Sequence, residues 1–193
     1  MGESSTEEVR KELAVLPKFH ELFGREPTTT AEAPGRVNLI GEHTDYNGGY
    51  VMPIGIPLQT RVEIGNRIGS LVRAWSANVP EPKIEDYRLE EEAPGRGWLD
   101  HVQGITQTLR LAGHRIRGFD VRIESDVPPG SGLSSSAALE VALLRGLREA
   151  FSLEIGDFDI ASAAQKSEND FVGAPVGIMD PMAASLAGEG KAL

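Results

Sequence analysis

Between residues 33 and 53 the sequence concentrates polar groups of the kinds that bind a ligand rich in hydroxyls. Arg36, Glu42, His43 and Asp45 stand close together in a segment that also holds two asparagines and four glycines. Each hydroxyl of such a ligand needs a donor and an acceptor on a stiff frame, and these side chains supply both. The pattern therefore predicts a site for a polyhydroxylated small molecule.

The Glu-His-x-Asp cluster has a second interpretation, as a metal site. No other histidine falls at a ligand spacing from His43, and a lone histidine is more often a structural residue than a ligand. The metal interpretation is therefore the less favoured one. The apolar residues Val37, Leu39 and Ile40 predict that a strand runs through the middle of the segment.

A second segment whose residues could bind a ligand lies between a predicted strand and a predicted helix. Its residues, 127–137, read Val-Pro-Pro-Gly-Ser-Gly-Leu-Ser-Ser-Ser-Ala. Glycines let backbone N–H groups converge, and a helix N-terminus adds positive partial charge, so the loop is slightly favoured as a phosphate site. The alternative is a tight turn with a serine cap. The loop is not a P-loop, since no Gly-Lys-Ser/Thr follows, and Ser135 stands where the dinucleotide fingerprint has its third glycine.

The elements that must position these segments follow from apolar periodicity and capping residues. The pattern predicts an extended segment at 28–32 and strands at 54–64, 71–76 and 118–125, with the last one half-buried. It predicts helices from a capping box at 5–8 to residue 24 with a break at Pro17, at 99–113, at 134–147, from an Asp157 cap to about 171, and from Asp180. Residues 77–96 form a hairpin or surface excursion in which Glu90, Glu91 and Glu92 are a solvated run, and residues 190–193 start a further strand.

The composition excludes several function classes. The 193 residues carry a net charge of −10, which disfavours a nucleic-acid or anionic membrane partner, and there is no cysteine for disulfides or thiolate chemistry. The acidic N-terminus lacks the features of a signal peptide, and no apolar run reaches membrane-spanning length. We expect a soluble cytoplasmic protein whose partners are small molecules.

Three blocks in order resemble the galactokinase family of the GHMP small-molecule kinase superfamily. Residues 35–49 read Gly-Arg-Val-Asn-Leu-Ile-Gly-Glu-His-Thr-Asp-Tyr-Asn-Gly-Gly and resemble the galactokinase signature almost letter for letter. Residues 129–137 resemble the ATP loop of the superfamily. The stretch from Glu168-Asn169 through Gly173 to Gly177-Ile178-Met179-Asp180 resembles the part that carries the metal-binding Glu and the catalytic Asp.

The resemblance implies an α/β (α+β) fold, a mixed sheet with packed helices like domain 2 of ribosomal protein S5. Residues 1–193 would be the GHMP kinase N-terminal, galactose- and ATP-binding domain, without the family's C-terminal domain. In the family that second half closes over the substrates. We therefore expect that these 193 residues alone have little or no kinase activity and that the full-length protein is a monomer.

The resemblance also implies a role for each site residue. Asp180 would bind the sugar's C1 hydroxyl as base or electrostatic anchor, and Arg36 would stabilise the moving charge, with a purely structural Arg36–Asp180 ion pair as the alternative. The residues that would bind the sugar are Arg36, Glu42, His43, Asp45, Gly177 and Asp180.

ATP and Mg²⁺ are the implied cosubstrate and metal. The residues that would bind ATP are Pro129, Gly130, Ser131, Gly132, Leu133, Ser134, Ser135, Ser136, Ala137 and Trp98. Ser136 and Glu168 would hold the Mg²⁺ ion. Taken alone, Trp98 is equally well a core residue and Glu168 a solvated helix residue.

One departure from the family pattern bears on the substrate. The family has Gln after the catalytic Asp, where this chain has Pro181, a residue that fits the first turn of a helix. The first hypothesis is phosphorylation of galactose at C1 by ATP. The alternatives are a GHMP kinase for N-acetylgalactosamine, galacturonate or arabinose, a non-catalytic galactose and ATP sensor, and a Rossmann-type nucleotide-binding domain.

Overall fold

The computed structural model describes residues 16–41, 44–187 and 191–193, so the predicted capping box at 5–8 and residues Glu42 and His43 lie outside the described residues. The strands are β1 (Thr29–Asn38), β2 (Pro53–Asn66), β3 (Leu71–Ser76), β4 (Glu85–Arg88) and β5 (Phe119–Ser125). The helices are α1 (Phe19–Phe23), α2 (Leu99–Leu111), α3 (Ser135–Phe151), α4 (Asp157–Ser167) and α5 (Met179–Leu186). The described residues also include a 3₁₀ turn (Asp45–Asn47) and a π-helical turn (Glu168–Val172).

The strands form a single mixed sheet in the order β1-β2-β5-β3-β4. All neighbours are antiparallel except β3 and β5, which run parallel because α2 lies between them in the chain. This arrangement confirms the expected mixed α/β fold. Residues 77–96 contribute one strand, β4, which forms a hairpin with β3 and not with a second strand inside the predicted range.

Helix α3 packs across β1 and β2, and α2, α4 and α5 pack around it on the same face of the sheet. Its apolar residues, including Val141, Leu144 and Leu147, are fully buried against sheet residues such as Val62 and Ile64. Burial of a Leu or Val side chain contributes about 1.5–3 kcal/mol, so this contact fixes α3 on the sheet. The N-terminus of α3 is therefore held at the end of the sheet where the glycine- and serine-rich loop lies.

The opposite face of the sheet overturns one prediction. Strand β5 is buried on both faces, not half-buried, because Asp120 and Arg122 are 0% and 7% exposed. Helix α1 covers that face with Phe19 and Phe23, and the Arg122 guanidinium lies 5.5 Å from the centre of the Trp75 ring. Charged residues on alternate positions normally face water, but here each is paired with groups brought from distant segments.

Asp120 is the centre of this buried charge network. Arg25, Arg67 and Arg73 all donate to its carboxylate, with Arg73 Nε 2.7 Å from Oδ1. Burial alone would raise the pKa of Asp120, but the hydrogen bonds from Arg73 and Arg25 outweigh it and hold the pKa below its usual range. The network ties the segment after α1 to three strands.

Several predicted boundaries need correction. Strand β1 ends at Asn38, and Leu39 and Ile40 lie in a bend where they are 58% and 66% exposed, so the predicted strand through them is wrong. Gly156, not Asp157, caps α4, and its N–H is bonded by Asp159. Glu92 is not solvated, because its side chain is 1% exposed and paired with Arg110.

Two further observations concern the chain's surface. Ala192 forms an antiparallel bridge with Ile54 and the Leu193 N–H donates to the Pro53 carbonyl, which agrees with the predicted strand start at that end, although Gly190 itself lies outside the described residues. Among the described residues, none of the helices combines the length and the apolar character that crossing a membrane requires.

We predict that Asp120→Asn lowers the free energy of unfolding by about 3 kcal/mol, because three guanidinium groups lose their buried counter-charge. Since the folded pKa is depressed, the carboxylate's contribution is present above about pH 4 and is lost as the pH falls through the folded pKa. Urea unfolding at pH 7 measures the difference.

The matched control is Asp126→Asn, an exposed carboxylate that follows β5 directly. We expect this control to stay within about 0.5 kcal/mol of the parent. Equal stability of the two variants would contradict the role given to Asp120.

Candidate functional site

Three distant segments meet at one end of the sheet: the end of β1, the glycine-rich loop before α3, and the start of α5. Gly35 makes the first approach possible, because a Cβ there would lie 2.8 Å from the Leu133 carbonyl oxygen and 3.1 Å from a Val127 methyl. The Arg36 N–H donates to the same carbonyl at 3.1 Å. The strand and the loop are thereby joined through backbone, and the Arg36 side chain is directed beyond them.

Arg36 links all three segments through its guanidinium. Its Nε lies 2.7 Å and its Nη2 2.6 Å from Oδ1 of Asp180, and its Nη1 donates to the Gly132 carbonyl at 2.7 Å. The Ser134 hydroxyl donates to the other carboxylate oxygen, Oδ2. The Asp180 carboxylate is therefore fixed on both oxygens, while its side chain stays 27% exposed.

Ser134 adopts an unusual backbone conformation to make that bond. Its φ is +60°, in the left-handed region, directly before α3. This conformation costs a non-glycine residue roughly 1–2 kcal/mol. The serine-cap interpretation of the loop is wrong for Ser134, whose hydroxyl caps no helix N–H and is directed at Asp180 instead.

A cavity of about 180 Å³ opens beside Asp180, lined by Arg36, Asp45, Tyr46, Pro175, Val176, Gly177, Met179 and Asp180. Asp45 enters it from the 3₁₀ turn and lies directly against Gly177. A Cβ on Gly177 would come within 1.7 Å of Asp45 Oδ2, so only glycine leaves room for that carboxylate. The cavity thus presents two carboxylates and one guanidinium to a small polar ligand.

The wall formed by residues 175–177 is held by side chains from α4 and the π-helical turn that follows it. Asn169 accepts from the Val176 N–H at 2.7 Å and donates to its carbonyl at 3.3 Å. Gln165 donates to the same carbonyl at 3.2 Å. Insertions of this kind into a helix are frequent at functional sites, and here the π turn places Asn169 against the wall and Glu168 towards α3.

A second cavity, of about 210 Å³, borders the glycine-rich loop. Its lining is largely apolar and includes Val79, Trp98, Leu139, Pro129, Ser135 and Ser136. Trp98 is part-buried, with its indole N–H donating to Glu85 at 3.0 Å. A flat apolar ligand in this cavity would lie next to the first residues of α3.

The N-terminal end of α3 presents the groups expected of an anion site. Gly130 and Gly132 have positive φ angles of 70° and 76°, which bend the loop tightly before the helix. Gly130, Ser131 and Gly132 are exposed, and Leu133 to Ser136 are half-buried. The unpaired N–H groups of a helix start and its positive partial charge favour phosphate at this position.

Glu168 lies behind this helix end and accepts a hydrogen bond from Ser136. Burial raises the pKa of Glu168, and the Ser136 hydrogen bond opposes that rise only in part. Glu168 as a whole residue is 4% exposed, so it is not the solvated helix residue of the alternative interpretation. The buried Glu168 carboxylate and the Ser136 hydroxyl, next to a candidate phosphate site, are suitable ligands for Mg²⁺.

The predicted site residues divide into two groups in space. Arg36, Asp45, Gly177 and Asp180 surround one cavity, while Trp98, Pro129, Ser135 and Ser136 line the other. Glu42 and His43 lie outside the described residues, so their predicted roles stay predictions.

Sequence reasoning missed three contributors to the site. His101 and Glu140 are 39 residues apart, and nothing in their spacing indicates that their side chains form a hydrogen bond at 2.9 Å. Asn169 stands beside Glu168 in the block of residues 168–180, but its contact with Val176 depends on the π turn. The sequence contains no periodicity signal for such a turn.

Two family models match the chain. The galactokinase galactose-binding signature matches residues 17–66, and the GHMP kinases N-terminal domain matches residues 100–188. Curated relatives include galactokinases from Streptomyces coelicolor, 44% identical over 178 residues, and from Thermococcus kodakarensis, 43% identical over 161 residues. These alignments cover 91% and 83% of this chain but 46% and 45% of the relatives. The chain thus spans about half the length of the curated relatives it matches.

Solved structures give the same result. Lactococcus lactis galactokinase, crystallised with galactose, has a TM-score of 0.86 and 36% identity, over 97% of this chain and 48% of that one. Mevalonate kinase from Methanococcus jannaschii has a TM-score of 0.72 at 23% identity, over 86% of this chain and 53% of that one, which shows the shared fold alone.

We predict that Asn169→Ala loosens the cavity wall, because the Val176 N–H and carbonyl both lose a partner. Loss of a hydrogen bond costs about 1 kcal/mol, so hydrogen exchange at the Val176 amide should accelerate roughly fivefold to tenfold. The control is Asp170→Asn, which removes only an exposed ion pair with Lys166. Unchanged exchange in Asn169→Ala would contradict the clamp.

Proposed function

The chain belongs to the GHMP kinase family and matches the N-terminal part of its galactokinase members, and from this we propose that the protein is a galactokinase. It transfers the γ-phosphoryl group of ATP to the C1 hydroxyl of galactose, giving galactose 1-phosphate and ADP. The observation that carries the proposal is the Asp180 carboxylate, which Arg36 and Ser134 hold between the polar cavity and the glycine-rich loop.

Galactose occupies the cavity beside Asp180 in this proposal. Asp45 accepts protons from sugar hydroxyls, and the missing side chain of Gly177 gives it room to do so. Glu42 and His43 bind further hydroxyls, as the family resemblance implies. Two carboxylates at fixed angles can distinguish an axial from an equatorial hydroxyl, because each lone pair accepts along its own direction.

ATP lies along the glycine-rich loop, with its phosphates at the start of α3 and its adenine in the apolar cavity with Trp98. The loop borders the apolar cavity through Ser135 and Ser136 and contacts Asp180 through Ser134. The γ-phosphate of ATP bound along the loop would then lie next to Arg36 and Asp180, as an in-line transfer requires. Ser136 and Glu168 would hold Mg²⁺, which neutralises phosphate charge when it is bound.

The proton of the sugar hydroxyl passes to Asp180. Oδ1 already faces two nitrogens of Arg36, whereas Oδ2 accepts one hydrogen bond from Ser134 and keeps a further lone pair for the sugar hydroxyl. Arg36 neutralises charge on the carboxylate before the transfer and on the phosphoryl oxygens during it. The ion pair is therefore both structural and catalytic in this account.

Pro181 gives no reason to prefer another sugar. It is buried in the first turn of α5 and is not part of the cavity lining. Its missing N–H costs little there, since the first four N–H groups of a helix have no acceptor within it. The full-length protein is proposed to act as a monomer on ATP and sugar.

We predict that Asp180→Ala lowers kcat by roughly 10²–10⁴-fold with galactose, because the proton acceptor is lost while the remaining sugar contacts persist. ATP consumption by the full-length protein across a panel of aldoses measures this. Asp157→Asn, which affects an exposed carboxylate paired with Arg148, is the control.

Full turnover in Asp180→Ala would refute the assignment of Asp180. If the parent protein binds galactose without turnover, the sensor hypothesis replaces the kinase proposal. If it turns over a different aldose, that sugar replaces galactose as the proposed substrate.

We predict that Gly177→Ala raises the KM for galactose about tenfold or more, as Asp45→Ala does, because the new Cβ displaces the Asp45 carboxylate. The double variant should be no worse than either single variant, since both changes remove the same contact. Gly156→Ala, where the nearest atom would be 3.4 Å from the new Cβ, is the matched control. Multiplying losses in the double variant would show that the two residues act separately.

A further inference from the structure

Behind the glycine-rich loop, three potential metal ligands come from three different helical segments. They are His101 on α2, Glu140 on α3 and Glu168 on the π turn, and one ligand atom from each lies within 4.8 Å of the other two. His101 Nδ1 is 2.9 Å from Glu140 Oε1. This separation suits three groups arranged around one central ion.

Glu140 is the unexplained member of the cluster. It is completely buried, and its second carboxylate oxygen, Oε2, has no hydrogen-bond partner among the residues that the structure describes. The Glu168 carboxylate in the same cluster carries charge of the same sign and therefore supplies no counter-charge. A buried carboxylate without a partner is costly, so an orphan oxygen at this position requires an explanation.

We propose that His101, Glu140 and Glu168 bind a divalent transition ion such as Mn²⁺ in the absence of nucleotide. One imidazole and two carboxylates are a donor set that first-row transition ions accept well, whereas Mg²⁺ prefers oxygen ligands alone. The ion would add positive charge beside the two buried carboxylates and would engage the orphan oxygen.

The site differs from the Ser136 and Glu168 pair proposed for Mg²⁺. It shares Glu168 but adds a nitrogen ligand and a second carboxylate, and it needs no phosphate oxygen to complete the set. The inference rests on the cluster alone and not on the kinase activity. Binding is therefore measured without ATP or sugar, so a failed kinase assay would leave it intact and a failed binding assay would leave the kinase proposal intact.

The test is titration of the full-length protein with Mn²⁺, followed by loss of the electron paramagnetic resonance signal of the free ion. We expect His101→Gln to weaken Mn²⁺ binding at least about tenfold and to change Mg²⁺ binding, measured by competition, much less. His114→Gln, a half-buried histidine just beyond α2, is the matched control and should bind Mn²⁺ like the parent.

A second measurement needs no variant. Electron spin echo modulation of Mn²⁺ bound to the parent protein should show coupling to an imidazole nitrogen. Nitrogen coupling together with the loss in His101→Gln would establish the site. Absence of the coupling, or equal Mn²⁺ affinity of the parent and a folded His101→Gln variant, would overturn it.

Discussion

The Arg36 guanidinium is the group on which the rest of the site depends. It donates hydrogen bonds to the Gly132 carbonyl in the loop and to the Asp180 carboxylate, which lie 96 and 144 residues further along the chain. The planar guanidinium holds several N–H donors in fixed geometry, so it can join three segments in this way. A lysine ammonium cannot reproduce this geometry. The position of Asp180 relative to the loop is thereby fixed before any ligand arrives.

Much of the fold serves to place this junction. The packing of α3 on β1 and β2 sets the position of the loop, and the packing of α5 on α4 and β1 sets the position of Asp180. The left-handed backbone of Ser134 brings its hydroxyl to the Asp180 carboxylate, and Gly35 lets β1 approach the loop closely. Strain of this kind persists only where surrounding packing determines it, and it concentrates at functional sites.

The sequence predicted the parts of this structure that depend on local pattern. Strands β2, β3 and β5, helix α2 and the loop before α3 lie where periodicity and turn residues placed them, and the blocks containing Arg36 and Asp180 were identified. It failed where partners come from afar: the charges of β5 predicted a solvated face, yet Asp120 is buried by three arginines. The contacts of His101 with Glu140 and of Asn169 with Val176 could not be predicted from the sequence either, since each depends on tertiary packing.

The most direct test of the central claim is the kinetics of Arg36→Lys in the full-length protein, with galactose affinity measured separately by calorimetry. Lysine keeps the charge but cannot hold both Asp180 and the Gly132 carbonyl. The account predicts that kcat falls roughly 10²-fold while the galactose Kd changes only a few-fold, because the loss appears mainly in the transition state. A variant with the parent's kcat, or one that loses only galactose affinity, would contradict the account.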